Sequence, residues 1–500
     1  MLESYSYDQI VSLVPRYSLG CDSGKESVYF LRILIPNGII STEQFKKIAE
    51  ISKKFCNGYA EITTRQDIQM HYITGENAIE AFEILEELRL TTDKCGQARP
   101  IARYGDVRNI VGCPATGIDP KETLYCYPFV KKIKEVVTGN VDFLDLPRKF
   151  KISISGCSIN CVSPEIQDLG LIALKNELGQ AGFIAFLGGG TGPAPRIGRP
   201  LGLFIPQDEL INVIVALLEV YRDYGKRENK ALSRFKYFVD EWGVNKIREA
   251  LHKRGFSLGT FDQKFPEISG REHIGINPMK QMGLYYMNVP TVRGRLTYDQ
   301  LVGIAGIAEE YGWHEIRLTP FQNFIITGIK REDFNVVLSK IEKLGFHFSD
   351  SPMRCMALAC AQEFCRLSVT SDSVSQRLDE IIRHLENKFS IKLGSLDIKL
   401  SISGCPSACS RYPIADIGLQ AVRHTENGVI HECYNIYVGG GLGHSPRFGR
   451  LVEQAVDKEN VKVFLEKLVS AYLCKSTSNE SFSDFCKKRT LSELKVLMEA

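Results

Sequence analysis

The chain has 500 residues, 44% hydrophobic and 24% charged, with a net charge of +3. That is a globular composition with room for roughly two to four domains, and its balance is unlike the concentrated basic stripe of a dedicated nucleic-acid binder. No run reaches the roughly 18–20 apolar residues that cross a bilayer, and residues 1–20 lack a basic start leading into an apolar run, so no secretory signal and a cytoplasmic setting are expected.

In chain order, an apolar extended segment over 28–35 leads into a Pro/Gly turn at Pro36 and Gly38. A helix is expected next, opened by Ser41 as N-cap with Phe45, Ile48 and Ile51 on one face. A β-like run over 60–73 follows, in which alternation would place Thr63, Arg65, Asp67 and Gln69 together. Arg108 and Asn109 lie in GDVRNIVG, and Arg148, Lys149 and Lys151 in LPRKFK. Their two-residue spacing would project Lys149 and Lys151 to the same side of an extended segment. A SISGC strand, a triple glycine at 188–190 and a short apolar run over 210–220, read as a buried or amphipathic helix, complete this half. The same grammar then returns. An extended segment spans 283–289, Thr297 caps a helix with Leu301, Ile304 and Ile307, and a β-like run spans 315–329. A second SISGC and a second triple glycine follow.

These are true repeats. Gly38, Gln44 and Gln66 match Gly294, Gln300 and Gln322 at one offset of 256. KISISGCSINC at 151–161 matches KLSISGCPSAC at 399–409, and GGGTGPAPRIGRP from Gly188 matches GGGLGHSPRFGRL from Gly439. Three blocks in one order, far longer in period than a solenoid, indicate a duplicated two-domain unit.

Fifteen cysteines are many for a reducing compartment, where close spacings suggest metal sites before disulfides. Cys360 and Cys365 are separated by four residues, Cys405 and Cys409 by three. Four thiolates are the usual ligands of a 4Fe–4S cluster. Structural zinc uses overlapping spacings, and unligated core cysteines are the third reading. The Gly404–Cys405–Pro406 start favours a cluster, because a tight turn there can aim backbone N–H groups at sulfide. The first half keeps only Cys113, Cys157 and Cys161, as core relics or as a second metal site. Cys21, Cys56, Cys95, Cys126, Cys433, Cys474 and Cys486 are isolated and read as small core hydrophobes.

Arg65, Arg108, Arg148, Lys149 and Lys151 read singly as solvated charges. Together, beside Gly-rich turns, they could line a pocket that binds a multiply charged anion and donates protons to it. Neither triple glycine fits a dinucleotide fingerprint, so nicotinamide binding is not expected.

With these motifs in place the chain resembles, over residues 28–456, the nitrite/sulfite reductase family that couples sirohaem to a 4Fe–4S cluster. The resemblance is carried by TTRQDIQ, GDVRNIVGCPATGIDP, LPRKFK, both SISGC segments and both GGG…PR blocks. It implies an α+β, internally duplicated fold about a pseudo-twofold axis. Two ferredoxin-like half-domains would lie at 20–80 and 275–335, and two sirohaem/Fe–S domains at 95–260 and 345–495. It further implies that Cys360, Cys365, Cys405 and Cys409 bind the cluster, with Cys409 bridging to the sirohaem iron. Arg65, Arg108, Lys149 and Lys151 would surround the anion or the sirohaem carboxylates, and Gln69, Arg148, Arg196 and Arg447 would contact the macrocycle.

The implied reaction is six-electron reduction of sulfite to sulfide. Its alternatives are nitrite reduction to ammonia on the same scaffold, a non-catalytic sirohaem or electron-transfer subunit, and, more distantly, a tetrapyrrole-modifying oxygenase. Lysine at 151, where plant-type nitrite reducers tend to have asparagine, points to sulfite. With no flavin or nicotinamide domain recognisable, electrons would come from a partner, ferredoxin being the expected one. Three departures from the family pattern stand out. The first cysteine pair is one residue closer than usual, so either its loop is tightened by one residue or Cys355, another four-residue gap before Cys360, takes part as a ligand. Leu34 replaces a basic residue near the first turn, with Arg32 two residues earlier. Cys113, Cys157 and Cys161 are retained.

Overall fold

The computed structural model describes residues 19–21, 28–92, 105–157, 161–262, 273–291, 293–348, 351–365, 367–371, 373–389, 397–426, 428–443, 445–477 and 480–499. Most of the N-terminal stretch read for a secretory signal, residues 1–18, lies outside them.

The run over 60–73 is a hairpin of strands Tyr59–Ile62 and Ile68–Thr74. Five consecutive polar residues, Thr63 to Asp67, cannot alternate into a core, so they form the turn. Thr63 N donates to Asp67 O at 2.9 Å, and Gln66 takes a left-handed φ of 63°. Arg65 therefore sits on a turn, not on the strand face expected for it. Its counterpart is the hairpin Glu315–Leu318 and Phe324–Lys330, with Gln322 also at φ 63°.

The helices start where their caps predict. Ser41 and Gln44 form a reciprocal capping box at Thr42–Phe55, as do Thr297 and Gln300 at Tyr298–Tyr311. The same two glutamines reach on to bond Leu88 O at 2.9 Å and Leu344 O at 3.0 Å.

The two half-domains exchange strands. Arg295–Thr297 pairs antiparallel with Tyr59–Ile62 of the first, with Arg295 opposite Glu61 and Thr297 opposite Tyr59. Reciprocally, Ile39–Ser41 pairs with Glu315–Leu318 of the second, with Ser41 opposite Glu315 and Ile39 opposite Arg317. The registers are related by the sequence offset of 256. Gly38 and Gly294, both left-handed, lie at the crossings; a Cβ would stand 2.4 Å from Leu318 O and 2.3 Å from Ile62 O respectively. Gln66 Nε2 donates to Leu318 O at 2.9 Å, and Gln322 Nε2 to Ile62 O at 3.1 Å. All three residue pairs that marked the repeat thus serve the exchange or its helices. One continuous core, from Leu31 through Ile304 to Phe346, fills the joined half-domains.

Each larger domain has a mixed sheet and its own core. In the first, Val111–Gly112, Ile152–Ser155 and Leu169–Lys175 run parallel, and Ala181–Leu187 continues antiparallel. In the second, Leu358–Ala359, Leu400–Ser403 and Ile417–Glu426 are parallel and Val429–Val438 antiparallel. The apolar run 210–220 lies in the helix Leu210–Tyr224, whose Leu210, Val213, Leu217 and Tyr221 are buried. Among the described residues no helix is long and apolar enough to cross a membrane.

Residues 248 apart, Ser163 and Arg411, are both left-handed and touch each other through Arg411 Nη1 and Ser163 Oγ at 3.4 Å. A residue in contact with its own repeat equivalent marks the pseudo-twofold axis. Of the isolated cysteines, Cys56, Cys126, Cys433 and Cys486 are buried as expected. Cys474 is exposed, on the outer face of the helix Val461–Lys475. Cys95 and the side chain of Cys21 lie outside the described residues.

Candidate cofactor and anion site

The C-terminal cysteines converge from two loops. Cys360 follows the strand Leu358–Ala359 and Cys405 follows Leu400–Ser403; these strands are parallel neighbours, so both loops leave at the same sheet edge. Gly404 N donates to Cys360 Sγ at 3.2 Å, the backbone donation expected of the Gly-Cys-Pro turn. A hydrogen bond from Cys365 pushes the Cys405 thiol down to about 5 and Cys365 correspondingly up. Burial, reinforced by Cys409 and Cys405, raises Cys360 to about 12. No three of these sulfurs share the 4.8 Å spacing of a single ion; among the described residues only another group does. That fits a cluster, in which each thiolate has its own iron, better than one zinc ion. Cys355 is buried with Ile274, Phe321 and Leu358, and its carbonyl accepts from Asn323 Nδ2 at 2.5 Å.

The loop of the first pair is latched to the first half-domain. Arg295 bridges Glu61 at 2.6 Å and Glu363 at 2.9 Å. Phe364 stacks on His71 with centroids 3.6 Å apart. Gln69 belongs to this network: it accepts from Arg32 Nη2 at 2.8 Å and touches His71 at 2.9 Å. Arg32 thus engages Gln69, and Leu34 is a core residue.

The basic residues are assembled by backbone pairing. Phe150 N donates to Asp106 O and Arg108 N to Phe150 O, both at 2.8 Å, which lays GDVRN alongside RKFK. Asn109 Nδ2 then ties in the Arg65 turn through Arg65 O at 3.0 Å and Asp67 Oδ1 at 2.5 Å. Arg65 reaches back to Gln167 Oε1 and Ile152 O, each at 3.2 Å, and to the Asn109 carbonyl. Burial pushes Arg65 down to about 9, against the pull of Asp67. Burial beside Arg234 and Arg108 holds Lys149 down to about 8, while the Cys409 charge pulls it up, so the sulfur and the ammonium feel each other. Lys151 falls well below its usual value through burial and the neighbouring Lys149, Arg65 and Arg234. Burial, Arg234 and Arg108 also lower Arg148.

Arg65, Arg108, Arg148, Lys149 and Lys151 therefore form one electrostatic group. Arg65 Nε and Arg234 Nε are buried without a hydrogen-bond partner, donor capacity that suits an anionic ligand. The first triple-glycine loop closes over the cysteine turn, Thr191 Oγ1 donating to Ala408 O at 3.3 Å. The residues present fit a cluster at the cysteines and a carboxylate-bearing macrocycle or oxyanion on the basic side.

Not every expected residue joins them. Arg196 is bound to Asp240 at 2.9 Å and is partly exposed. Arg447 lines a cavity of about 440 Å³ with Lys399, Arg411, Asp416 and, from the first half, Ser163. Motif reading missed Arg234, which grips Asp168 at 2.9 and 3.0 Å. Asp168 also accepts from Lys151 N at 2.9 Å, and Asp416 repeats this with Lys399 N at 2.8 Å. Extending the repeat to the D-x-G-L of Asp168 and Asp416 would have flagged the aspartate; nothing local flags Arg234.

A family model for the nitrite and sulphite reductase 4Fe-4S domain matches residues 104–256 and 364–496. The nitrite/sulfite reductase ferredoxin-like half-domain model matches 23–88 and 277–344. The chain is 31% identical over 491 residues to an assimilatory ferredoxin-dependent nitrite reductase of Haloferax mediterranei, covering 92% of this chain and 82% of that protein. It is 30% identical over 480 residues to sulfite reductase (ferredoxin) 2 of Mycolicibacterium paratuberculosis, covering 94% and 84%. The structure superposes on the NirA protein of Mycobacterium tuberculosis with a TM-score of 0.88 at 26% identity, over 99% of this chain and 92% of that one. Matched twice over by both family models and along most of its length by these relatives, the protein is a member of the nitrite/sulfite reductase family, oxidoreductases that carry sirohaem and a 4Fe–4S cluster.

Proposed function

We propose that the protein reduces sulfite to sulfide in a six-electron reaction, in the cytoplasm, with ferredoxin as the electron donor. Cys360, Cys365, Cys405 and Cys409 would hold the cluster, Cys409 also serving the sirohaem iron. Arg65, Arg108, Arg148, Lys149 and Lys151 would hold the anion and the sirohaem carboxylates. Gln69, Arg196 and Arg447 have protein partners of their own and are assigned supporting roles. Bound there, the coupled cofactors supply the electrons.

The chain's own residues supply charge and protons. Lys149, with an ammonium held near 8, loses its proton far more readily than an ordinary lysine, and Lys151 is likewise lowered well below its usual value. Each is poised to protonate an oxygen leaving as water. Proton delivery in a partly dry pocket is what repeated S–O cleavage requires.

Lys151 is the observation that carries sulfite over nitrite. Sulfite brings up to two negative charges and nitrite one, so an extra buried cation favours the former. Nitrite remains the second reading because a relative of equal similarity is named a nitrite reductase. The test is kcat/KM on both anions for wild type and Lys151→Asn. Sulfite turnover should fall at least ~10-fold relative to nitrite, about 1.4 kcal/mol of transition-state stabilisation; an unchanged ratio removes the sulfite assignment.

A further inference from the structure

Where the first large domain meets the second half-domain lies a group of ligand atoms that neither the cluster nor the anion site uses. Cys113 Sγ, Cys157 Sγ and a ring nitrogen of His273 lie within 4.8 Å of one another, and all three residues are buried. It is the one such group among the described residues. Cys113 Sγ is 3.2 Å from His273 Nε2. The far side of the ring is held too, Nδ1 standing 2.9 Å from the Tyr286 hydroxyl. With Nδ1–H donated to that oxygen, the Nε2 lone pair faces the sulfurs, the tautomer in which a histidine ligand is oriented for a metal. The backbone is pinned as well. His273 has a left-handed φ of 57°, and its carbonyl accepts from Asn288 Nδ2 at 2.9 Å. Cys161, 1% exposed, lies against the Cys113 thiol but outside the spacing that the other three ligand atoms share. The lining is otherwise apolar, with Val111, Ala115, Ile118, Val162 and Ile325.

The spacing selects one ion over a cluster. Metal–sulfur bonds of about 2.3 Å and metal–nitrogen bonds of about 2.0 Å give tetrahedral edges of roughly 3.5–3.8 Å, comparable with the 3.2 Å between Cys113 Sγ and His273 Nε2. Sulfurs around a four-iron cube stand farther apart, each on its own iron.

We infer that Cys113, Cys157 and His273, with the neighbouring Cys161 turning its thiol in as the fourth ligand, bind a single tetrahedral divalent ion of the zinc class as a structural site. Binding releases three thiol protons and leaves the site with one net negative charge. No electrons are exchanged. Cys157 and Cys161 precede Cys405 and Cys409 by 248 residues, so the ion occupies the repeat-equivalent of the cluster position. It would join loops from both sides of the molecule. Cys113 follows the strand Val111–Gly112, and Cys157 follows Ile152–Ser155 in the first large domain. His273 leads into Ile276–Pro278 of the second half-domain.

The test is elemental analysis of the full-length holoenzyme, produced in zinc-replete medium without chelators, with zinc-edge X-ray absorption on the same sample. About one zinc per chain, with three sulfur and one nitrogen scatterers, is expected beside the about five irons of one cluster and one haem. His273→Ala and Cys113→Ser should lose most of the zinc while iron per chain is unchanged. Wild-type protein without zinc, with about four extra irons, or with zinc in an oxygen-rich shell overturns the site. So does a folded His273→Ala protein with undiminished zinc. The wild-type measurement decides the matter alone if the variants do not fold.

Discussion

Lys149 and Lys151 are buried two residues apart in a pocket shared with Arg65, Arg108 and Arg234; burial first, and these like charges after it, lower their proton affinity. A lysine with a depressed pKa is a cation only below that value. The charge that attracts an anion is therefore present below about 8 and is lost as pH rises through it. KM for sulfite should rise several-fold between about pH 7 and 9, and Lys149→Met should raise KM at pH 7 and flatten this limb. A wild-type limb unchanged in Lys149→Met would assign the titration elsewhere. The same shift makes the empty pocket a folding cost. The unfolded lysine binds its proton near 10.5 and the folded one only near 8, so stability declines as pH falls across that window and is constant below it. These residues were legible because they sit in short motifs. Arg234 was not, since its partner Asp168 is 66 residues away and only folding introduces them.

Two elements set the cysteine loops in place, and each can be broken singly. The latch from Arg295 to Glu61 and Glu363 holds the loop of Cys360 and Cys365 against the first half-domain. Burial alone would raise Glu61, but His71 and Arg295 together hold it below the usual carboxylate range. Arg295→Ala leaves that carboxylate without its strongest cation, a local cost of about 3 kcal/mol. Iron and acid-labile sulfide per chain should be lost faster from this variant in air, with sulfite turnover falling in parallel. Retention equal to wild type would show that the latch is dispensable. At the crossing of the exchanged strands, Gly38→Ala places a Cβ 2.4 Å from Leu318 O in a left-handed conformation. About 2 kcal/mol or more of destabilisation should appear as a melting temperature lower by several degrees. Helix starts were readable here because a capping box spans four residues. The TTRQD hairpin was misread as a strand because the apolar alternation on either side runs up to it, whereas the turn is held by tertiary partners, Leu318 O and Gly112 N for the buried Gln66 and Asn109 for the buried Asp67.

At the scale of the molecule, the strand exchange makes each half incomplete alone. The first sheet takes its edge from Arg295–Thr297, the second from Ile39–Ser41, and one core runs through both. In residues 1–262 expressed alone, the half-domain over 28–92 should lose its hydrogen-exchange protection while the large domain keeps its own core, whereas co-expressed halves should purify together; a half-domain protected on its own would contradict the exchange. The sequence by itself determined the duplication, the caps, the paired cysteines and, through them, the family, because each is written in contiguous residues or in an exact repeat. Tertiary structure alone decided that the copies trade strands, that Arg65 meets Lys151 from a turn, and that Cys113 meets His273 across 160 residues. Such meetings depend on how whole layers pack, and no local pattern of side chains encodes them.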